Sequence, residues 1–444
     1  MSRLNEYRDI AQKMIMAGVK AADPANAISE SVILDGKKIS IKGNEFDLNN
    51  YDKVYMFGIG KASSSMAHAL EGIITPDDGL VITKKGEEIG DVEVKTIPVY
   101  KAYHPEPKEE NIKYSNRIME MIENINEDDS PLILFLVSGG GSALFCAPPA
   151  GITIDEMYKL NQLLMKCGAN IYEINTIRKH LSRVKGGRFG QICSEKGATV
   201  VSLILSDVVG DDMSVIASGP TYKDDTTFKE AIEITEDYGI WDELPQSIKN
   251  HLEKGLENEA MESPDQIPEN IYNYLISNNM IALSAAEEIA GEAGFNTMIL
   301  TSQNSGEAKE IAKCVMGIAR EIQDSGNPID VPAAIIMGGE MVVTFDWKDR
   351  DGFGPNREFV LSSALEIINR NNIVVAGADT DGVDGEGKSG AIADTDTVSR
   401  AEKDAKYYLD THDAELFFDS LGDSLEFSSH TNVNDIDVVI IGPK

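Results

Sequence analysis

The stretch Pro131–Pro149, PLILFLVSGGGSALFCAPP, decides how the rest of the chain is read. Its first part, LILFLV, is a continuous apolar run, the pattern of a parallel strand covered on both faces. Ser138, Gly139, Gly140, Gly141 and Ser142 follow with no spacer. Glycines at the carboxyl end of a strand let the chain turn sharply and bring backbone N–H groups against a ligand with no Cβ in the way. Ligands of open α/β sheets sit outside such strand ends. The loop can therefore cradle phosphate or carboxylate oxygens through its N–H groups and the Ser138 and Ser142 hydroxyls. A glycine turn that serves only packing is the alternative.

Working outward, KVYMFGIG (Lys53–Gly60) reads as a strand that enters a helix at Lys61, and TVVSLIL (Thr199–Leu205) as a buried strand ending at Ser206-Asp207. Further strands are expected at Leu80–Thr83 and Val92–Ile97. Strands alternating with helices predict a doubly wound parallel sheet. Residues 242–270 are polar, with prolines at 245, 264 and 268, which places a domain boundary there and gives domains of 1–255 and 256–444. The second half repeats the alternation. Ala333–Met337 is a strand with Met341–Phe345 as its hairpin partner, and Ile373–Ala378 and Asp437–Ile441 are strands.

The chain has 444 residues, with 74 acidic against 40 basic side chains and a formal net charge of −34. Such a field excludes nonspecific binding to nucleic acid or to an anionic membrane. An anionic substrate must then be met by a local basic patch. The one dense basic stretch is Arg178, Lys179, Arg183, Lys185 and Arg188, whose spacing does not fit a single helix face. The four cysteines form no CxxC pair, as expected of reduced thiols in a cytosolic protein. The N-terminus reads as a charged helix rather than a signal peptide, and no apolar run reaches membrane-spanning length. A cytoplasmic protein is expected.

Polar, glycine-rich sequence recurs at strand ends: Gly58-Ile59-Gly60-Lys61, Ser138–Ser142, Ser206-Asp207, Gly338-Gly339-Glu340 and Gly377–Asp384. Lys61, where a strand and glycine turn enter a helix, can meet an anion favoured by the helix N-terminus. Gly382–Ser389 (GVDGEGKS) matches the P-loop pattern letter for letter. A working P-loop follows its strand directly and opens an apolar helix, whereas here Asp379, Thr380 and Asp381 intervene and GAIADTDT follows. Asp207, Asp379, Asp381 and Asp384 can supply the one or two carboxylates that Mg²⁺ takes besides phosphate and water; each is equally a turn former. His104 and His180 read as structural hydrogen-bond partners.

Taken together, MFGIGKASSSMA (56–67), YHPEPKEEN (103–111), LVSGGGSALFCAPPAGIT (136–153), EINTIRKHLSRVKGG (173–187), LSDVVGDDMSVIASGPT (205–221), GADTDGVDGEGKSGAIAD (377–394) and TNVNDI (431–436) resemble the type II glycerate kinase family, the glycerate 2-kinases with a C-terminal MOFRL-type domain. The resemblance implies an α/β fold: a Rossmann-like, doubly wound, mostly parallel sheet domain plus a second, smaller α/β domain, with ATP, Mg²⁺ or another divalent metal, and D-glycerate meeting in the cleft between them. It places the catalytic lysine on Lys61. Many relatives read GGRNQE where this chain reads Gly354-Pro355-Asn356-Arg357-Glu358, so the second catalytic cation is expected at Arg357. Lys388 and Phe427-Ser428-Ser429-His430 are further departures from the family pattern.

On that resemblance, the glycerate carboxylate and hydroxyls are expected against Ser138–Ser142, Arg178 and Arg183, with Asp207 orienting the hydroxyl or acting as base. The nucleotide is expected near Gly58, Gly60, Gly338, Gly339, Glu340, Asn356 and Gly382. The metal is expected at Asp379, Asp381 or Asp384. Transfer to the 2-hydroxyl is the family's outcome, with the 3-hydroxyl as the other regiochemistry. The rival enzyme class is an NAD(P)H-dependent hydroxypyruvate reductase, against which stands the absence of GxGxxG followed by an acidic residue about twenty positions on. A non-enzymatic sugar-acid sensor is a third class. A homodimer is an open expectation.

Overall fold

The computed structural model describes residues 3–86, 93–126, 128–344 and 353–444. It forms two compact units, Ala27–Ile276 and the pair of segments Met1–Asn26 and Ser277–Lys444. The break lies beyond the expected 255/256 boundary because Ile271–Ser277 supplies a strand of the first sheet. The first helix, Arg3–Ala21, belongs with the C-terminal unit. Its buried Ala11, Met14, Ile15 and Val19 face that unit's core, and at Gly18 an added methyl would lie 2.8 Å from the Ala282 carbonyl oxygen.

In the Ala27–Ile276 unit, six strands lie in the order Val99–Ala102, Asp78–Lys84, Val54–Ile59, Leu132–Val137, Thr199–Leu205, Ile271–Ser277. The first five pair in parallel. Numbered along the chain this is 3-2-1-4-5-6, the doubly wound order whose switch point falls between the first and fourth strands. Here those are Val54–Ile59 and Leu132–Val137, so the Gly60-Lys61 turn and the Ser138–Ser142 loop leave the sheet side by side. All six residues of LILFLV are buried, so both faces of that strand are covered. Phe135 packs on Phe189 with ring centroids 4.8 Å apart, and Phe189 meets Phe145 edge-on at 5.3 Å. Truncating Phe135 to Ala removes one ring of that trio, at a cost of roughly 3–5 kcal/mol.

Two local expectations shift. The strand expected at Val92–Ile97 is found at Val99–Ala102; Val92 lies outside the described residues, and pairing begins after Pro98, which can accept a bond but not donate one. A three-stranded antiparallel sheet, Val32–Asp35, Lys38–Ile41 and Asn44–Asp47, precedes the parallel sheet. Its two-residue turns are Gly36-Lys37 and Lys42-Gly43.

In the C-terminal unit the order is Asn296–Glu307, Ala333–Val342, Asp435–Ile441, Ile373–Asp379, Gly390–Asp394, Ser424–Leu425. Only the first pair is parallel. Asp435–Ile441 inserts antiparallel to both its neighbours, so the alternation seen in the sequence does not produce a parallel sheet here. Ala333–Val342 is one continuous strand, not the expected hairpin; Phe345 lies outside the described residues. Gly382–Ser389 joins two antiparallel strands and opens no helix, which rules out the P-loop reading.

Candidate active site

Each unit is built around one cluster of polar groups. In the Ala27–Ile276 unit the cluster gathers at the switch point. The Lys61 N–H donates to the Gly139 carbonyl (2.8 Å) and the Ala62 N–H to Ser138 Oγ (3.1 Å). Ser138 is fully buried, and a methyl on Gly60 would lie 2.2 Å from its hydroxyl. The Ser138 side chain thus fastens the two turns together. Gly58 is a packing position against Val81. The Lys61 and Ala62 N–H groups, at the entry to the helix Ser63–Glu71, are occupied by protein, whereas a dinucleotide pyrophosphate on this fold needs the N–H groups of that turn.

The next two glycines seat polar side chains. A Cβ on Gly139 would fall 2.1 Å from Asp207 Oδ2. On Gly140, with φ +78°, it would fall 3.0 Å from His104 Nε2 and 3.4 Å from Lys61 Cγ. The carboxyl, the imidazole and the lysine stem therefore rest on bare backbone. Burial raises the Asp207 pKa, and the Lys61 ammonium opposes that rise. Lys61 is half-buried.

Beside the loop, a cavity of about 330 Å³ is lined by His104, Gly140, Ser142, Arg178 and Lys185 at its polar end. The buried Lys185 ammonium donates to the Ser142 carbonyl, to Ser142 Oγ (3.2 Å) and to the Phe145 carbonyl (3.3 Å). Burial, with Arg178 adding to it, pulls its pKa down to about 8. Arg178 Nε donates to Asn161 Oδ1 (2.9 Å). Ser142 Oγ also shares a hydrogen bond with Ser218 Oγ (2.8 Å).

The basic stretch divides as its spacing requires. Arg178 and Lys185 reach this cavity, while Lys179 is buried against Asp224 (3.2 Å). Arg183 and Arg188 line a separate recess, with Arg183 donating to Asn116. Arg178 and Arg183 are thus not brought together. His104 lines the cavity, whereas His180 bonds the Thr176 carbonyl (2.7 Å) and Glu262 (3.2 Å) as a structural partner.

In the C-terminal unit, Asp384 and Arg357 form a buried pair. Asp384 accepts from the N–H groups of Asn356 (3.0 Å) and Arg357 (2.9 Å), capping the helix Pro355–Glu366, and from Arg357 Nε (3.1 Å). Arg357 is fully buried; it also donates to the carbonyls of Asp384 (2.6 Å) and Phe353 (3.0 Å) and to Glu415. A guanidinium held this way anchors the Gly382–Ser389 loop to the helix. The side chain expected as the second catalytic cation is thus engaged by protein groups within this unit.

Asp379 accepts from the Asp381 N–H (2.9 Å), and Asp381 accepts from the Val383 N–H (2.8 Å). Burial and the Asp381 and Asp435 carboxyls raise the Asp379 pKa well above the usual range. Asp384 has its oxygens engaged, and no three His, Cys, Asp or Glu side chains among the described residues converge as a metal ligand set. The expectation, one or two of these carboxylates assisting a phosphate-held Mg²⁺, asks for no such set. Gly338 packs on Asn279 Oδ1 (2.2 Å to an added Cβ), Gly339 on the Asn304 backbone (2.2 Å) and Gly382 on the Phe427 carbonyl (2.8 Å). Glu340 is exposed.

Sequence reasoning missed Asp435 and Asp437. Asp435 accepts from Asn356 Nδ2 (2.6 Å) and the Met341 N–H (2.9 Å); burial lifts its pKa to about 7, Asp384 and Glu340 adding to the rise. Asp437 is 1% exposed, with neither carboxyl oxygen hydrogen-bonded among the described residues. The signal was present: two aspartates at i, i+2 share one face of a strand.

Residues 10–253 match a family described as a domain of unknown function, DUF4147, and residues 333–435 match the MOFRL family. The glycerate 2-kinase of Pyrococcus horikoshii is 38% identical, the alignment covering 99% of this chain and 98% of the relative. The D-glycerate 2-kinase of Thermotoga maritima is 35% identical, covering 98% of each. A chain of Agrobacterium vitis with a provisional hydroxypyruvate reductase name is 35% identical, covering 98% of this chain and 94% of that one. The crystal structure of a Thermotoga maritima glycerate kinase superposes with a TM-score of 0.87 at 34% identity, covering 98% of this chain and all of that one. No helix among the described residues is long and apolar enough to cross a membrane.

Proposed function

This chain belongs to the glycerate 2-kinase family with a C-terminal MOFRL domain, and from that premise we propose that it transfers the γ-phosphoryl group of MgATP to the 2-hydroxyl of D-glycerate. The observation that carries the reading is Asp207 and Lys61 resting on the adjacent glycines Gly139 and Gly140. Phosphoryl transfer asks a protein chiefly for positioning and for cationic charge at the transferring oxygens. Asp207 takes the proton of the attacking hydroxyl as its oxygen bonds to phosphorus and the β–γ bridging bond breaks. Burial, which raises its pKa, suits it to hold that proton. The Lys61 ammonium stabilises the charge on the γ-phosphoryl oxygens. Arg357 acts as a positioning residue, through the loop it anchors.

A nicotinamide-dependent reductase would need the pyrophosphate seat at the first strand end. Its N–H groups are bonded to Gly139 and Ser138 instead. The test is steady-state ADP release from ATP, Mg²⁺ and D-glycerate, run beside NADH consumption with hydroxypyruvate. Glycerate-dependent ADP release without NADH consumption supports the kinase. The reverse pattern overturns it.

A further inference from the structure

The helix Ile154–Cys167 carries two apolar faces. Met157, Leu160 and Leu164 are buried in the core, as an amphipathic helix requires. Ile154, Tyr158 and Met165 lie on a second face that lines the 330 Å³ cavity, together with Asn161 and Gln162. Tyr158 is 47% and Met165 69% exposed. Single exposed apolar residues need no explanation, but a row of them along a cavity wall marks a binding surface. The cavity is several times larger than a three-carbon acid needs, and lies within the range of sites for larger ligands. Its far end is the polar set of Gly140, Ser142, Arg178 and Lys185.

We propose that this apolar half seats the adenine ring of the donor nucleotide, with the phosphates directed toward Gly140, Ser142, Arg178 and Lys185. The inference rests on the kinase reading and adds the base-recognition site to it. An aromatic ring and methionine thioethers supply a stacking surface for a flat heterocycle. The Gln162 side chain makes no hydrogen bond among the described residues. Its amide presents one donor and one acceptor, the complement of the amine and ring nitrogen on the adenine edge. The Asn161 oxygen is taken by Arg178, which leaves its NH₂ as a donor. A three-carbon hydroxy acid has no apolar ring to place against this wall.

The test uses the full chain with Tyr158→Ala, Tyr158→Phe and Gln162→Ala, varying both substrates. A lost base–aromatic stack corresponds to about tenfold in affinity. Tyr158→Ala is expected to raise KM for ATP by about that factor, with KM for D-glycerate moved less than about twofold, and Tyr158→Phe to restore most of the loss. Gln162→Ala should narrow the preference for ATP over GTP. A rise in KM for D-glycerate with ATP unaffected would assign the wall to the acceptor and overturn the proposal, as would no change in either. Calorimetric titration with ADP alone keeps the question separate from turnover. If the unaltered chain makes no phosphoglycerate, the functional reading fails, yet weaker ADP binding in Tyr158→Ala would still support the base site and unchanged binding would refute it.

Discussion

The Asp207 carboxyl lies directly on Gly139, with Oδ2 2.1 Å from where a Cβ would stand. No side chain fits between them. Gly139→Ala must displace either the loop or Asp207, and misplacement on this scale is worth about a hundredfold in rate. The expected outcome is a fall in kcat/KM of that order with an unchanged circular dichroism spectrum. Near-normal turnover would remove Asp207 from the reaction.

On the proposed mechanism the Lys61 charge acts chiefly in the transition state, so its loss should lower kcat and kcat/KM together. Lys61→Ala is expected to lose roughly two or more orders of magnitude in kcat. Its thermal midpoint should stay close to that of the unaltered chain, because the half-buried ammonium makes no ion pair among the described residues. A change confined to KM would assign Lys61 to ground-state binding.

The Lys185 pKa, lowered to about 8 by burial, gives a pH dependence of definite sign. Below pH 8 the ammonium is charged and favours an anion in the cavity; above it the charge is lost. Nucleotide affinity should therefore weaken as pH rises through about 8. Lys185→Met should bind more weakly below pH 8, converge with the unaltered chain above it and lose that step, which ADP titrations between pH 7 and 9 would reveal.

Asp437 is buried with both carboxyl oxygens unpartnered among the described residues, and burial and the nearby Asp435 and Asp384 carboxyls raise its pKa well above the usual range. Asp435 is raised to about 7. A carboxyl with a raised pKa binds more protons in the folded than in the unfolded chain. Its stabilisation is full below the ordinary carboxylate pKa of about 4, and is lost as pH rises toward the folded value. Thermal midpoints should fall between pH 5 and 7. Asp437→Asn removes one such charge, and should stabilise the chain at pH 8 by about 1–2 kcal/mol and flatten the decline. Destabilisation at pH 8 would show that the carboxylate has a partner there.

LILFLV with its glycine loop was legible because a buried parallel strand leaves a continuous apolar run, and the strand was found at Leu132–Val137. The 3-2-1-4-5-6 order was not legible, because spacing along the chain does not say which side of a sheet each new strand joins. The Val32–Asp47 sheet was overlooked although Gly36-Lys37 and Lys42-Gly43 are turn pairs of the two-residue kind. Its strands are short and mostly exposed, so they lack the apolar signal. Lys185 could be seen as basic. That it points to the Ser142 and Phe145 carbonyls while Arg183 points elsewhere depends on the turn after His180, which helical periodicity cannot reach. Arg357 shows the opposite case: the motif marked a cation but could not show its burial against Asp384 and Glu415, which sequence spacing does not reach.

Phosphorus NMR of the reaction with ATP, Mg²⁺ and D-glycerate tests the central claim most directly. The expected spectrum shows ADP and 2-phosphoglycerate rising together, with both signals lost in Lys61→Ala. A 3-phosphoglycerate product would contradict the assigned regiochemistry, and the absence of any phosphate ester from a folded, nucleotide-binding chain would contradict the kinase itself.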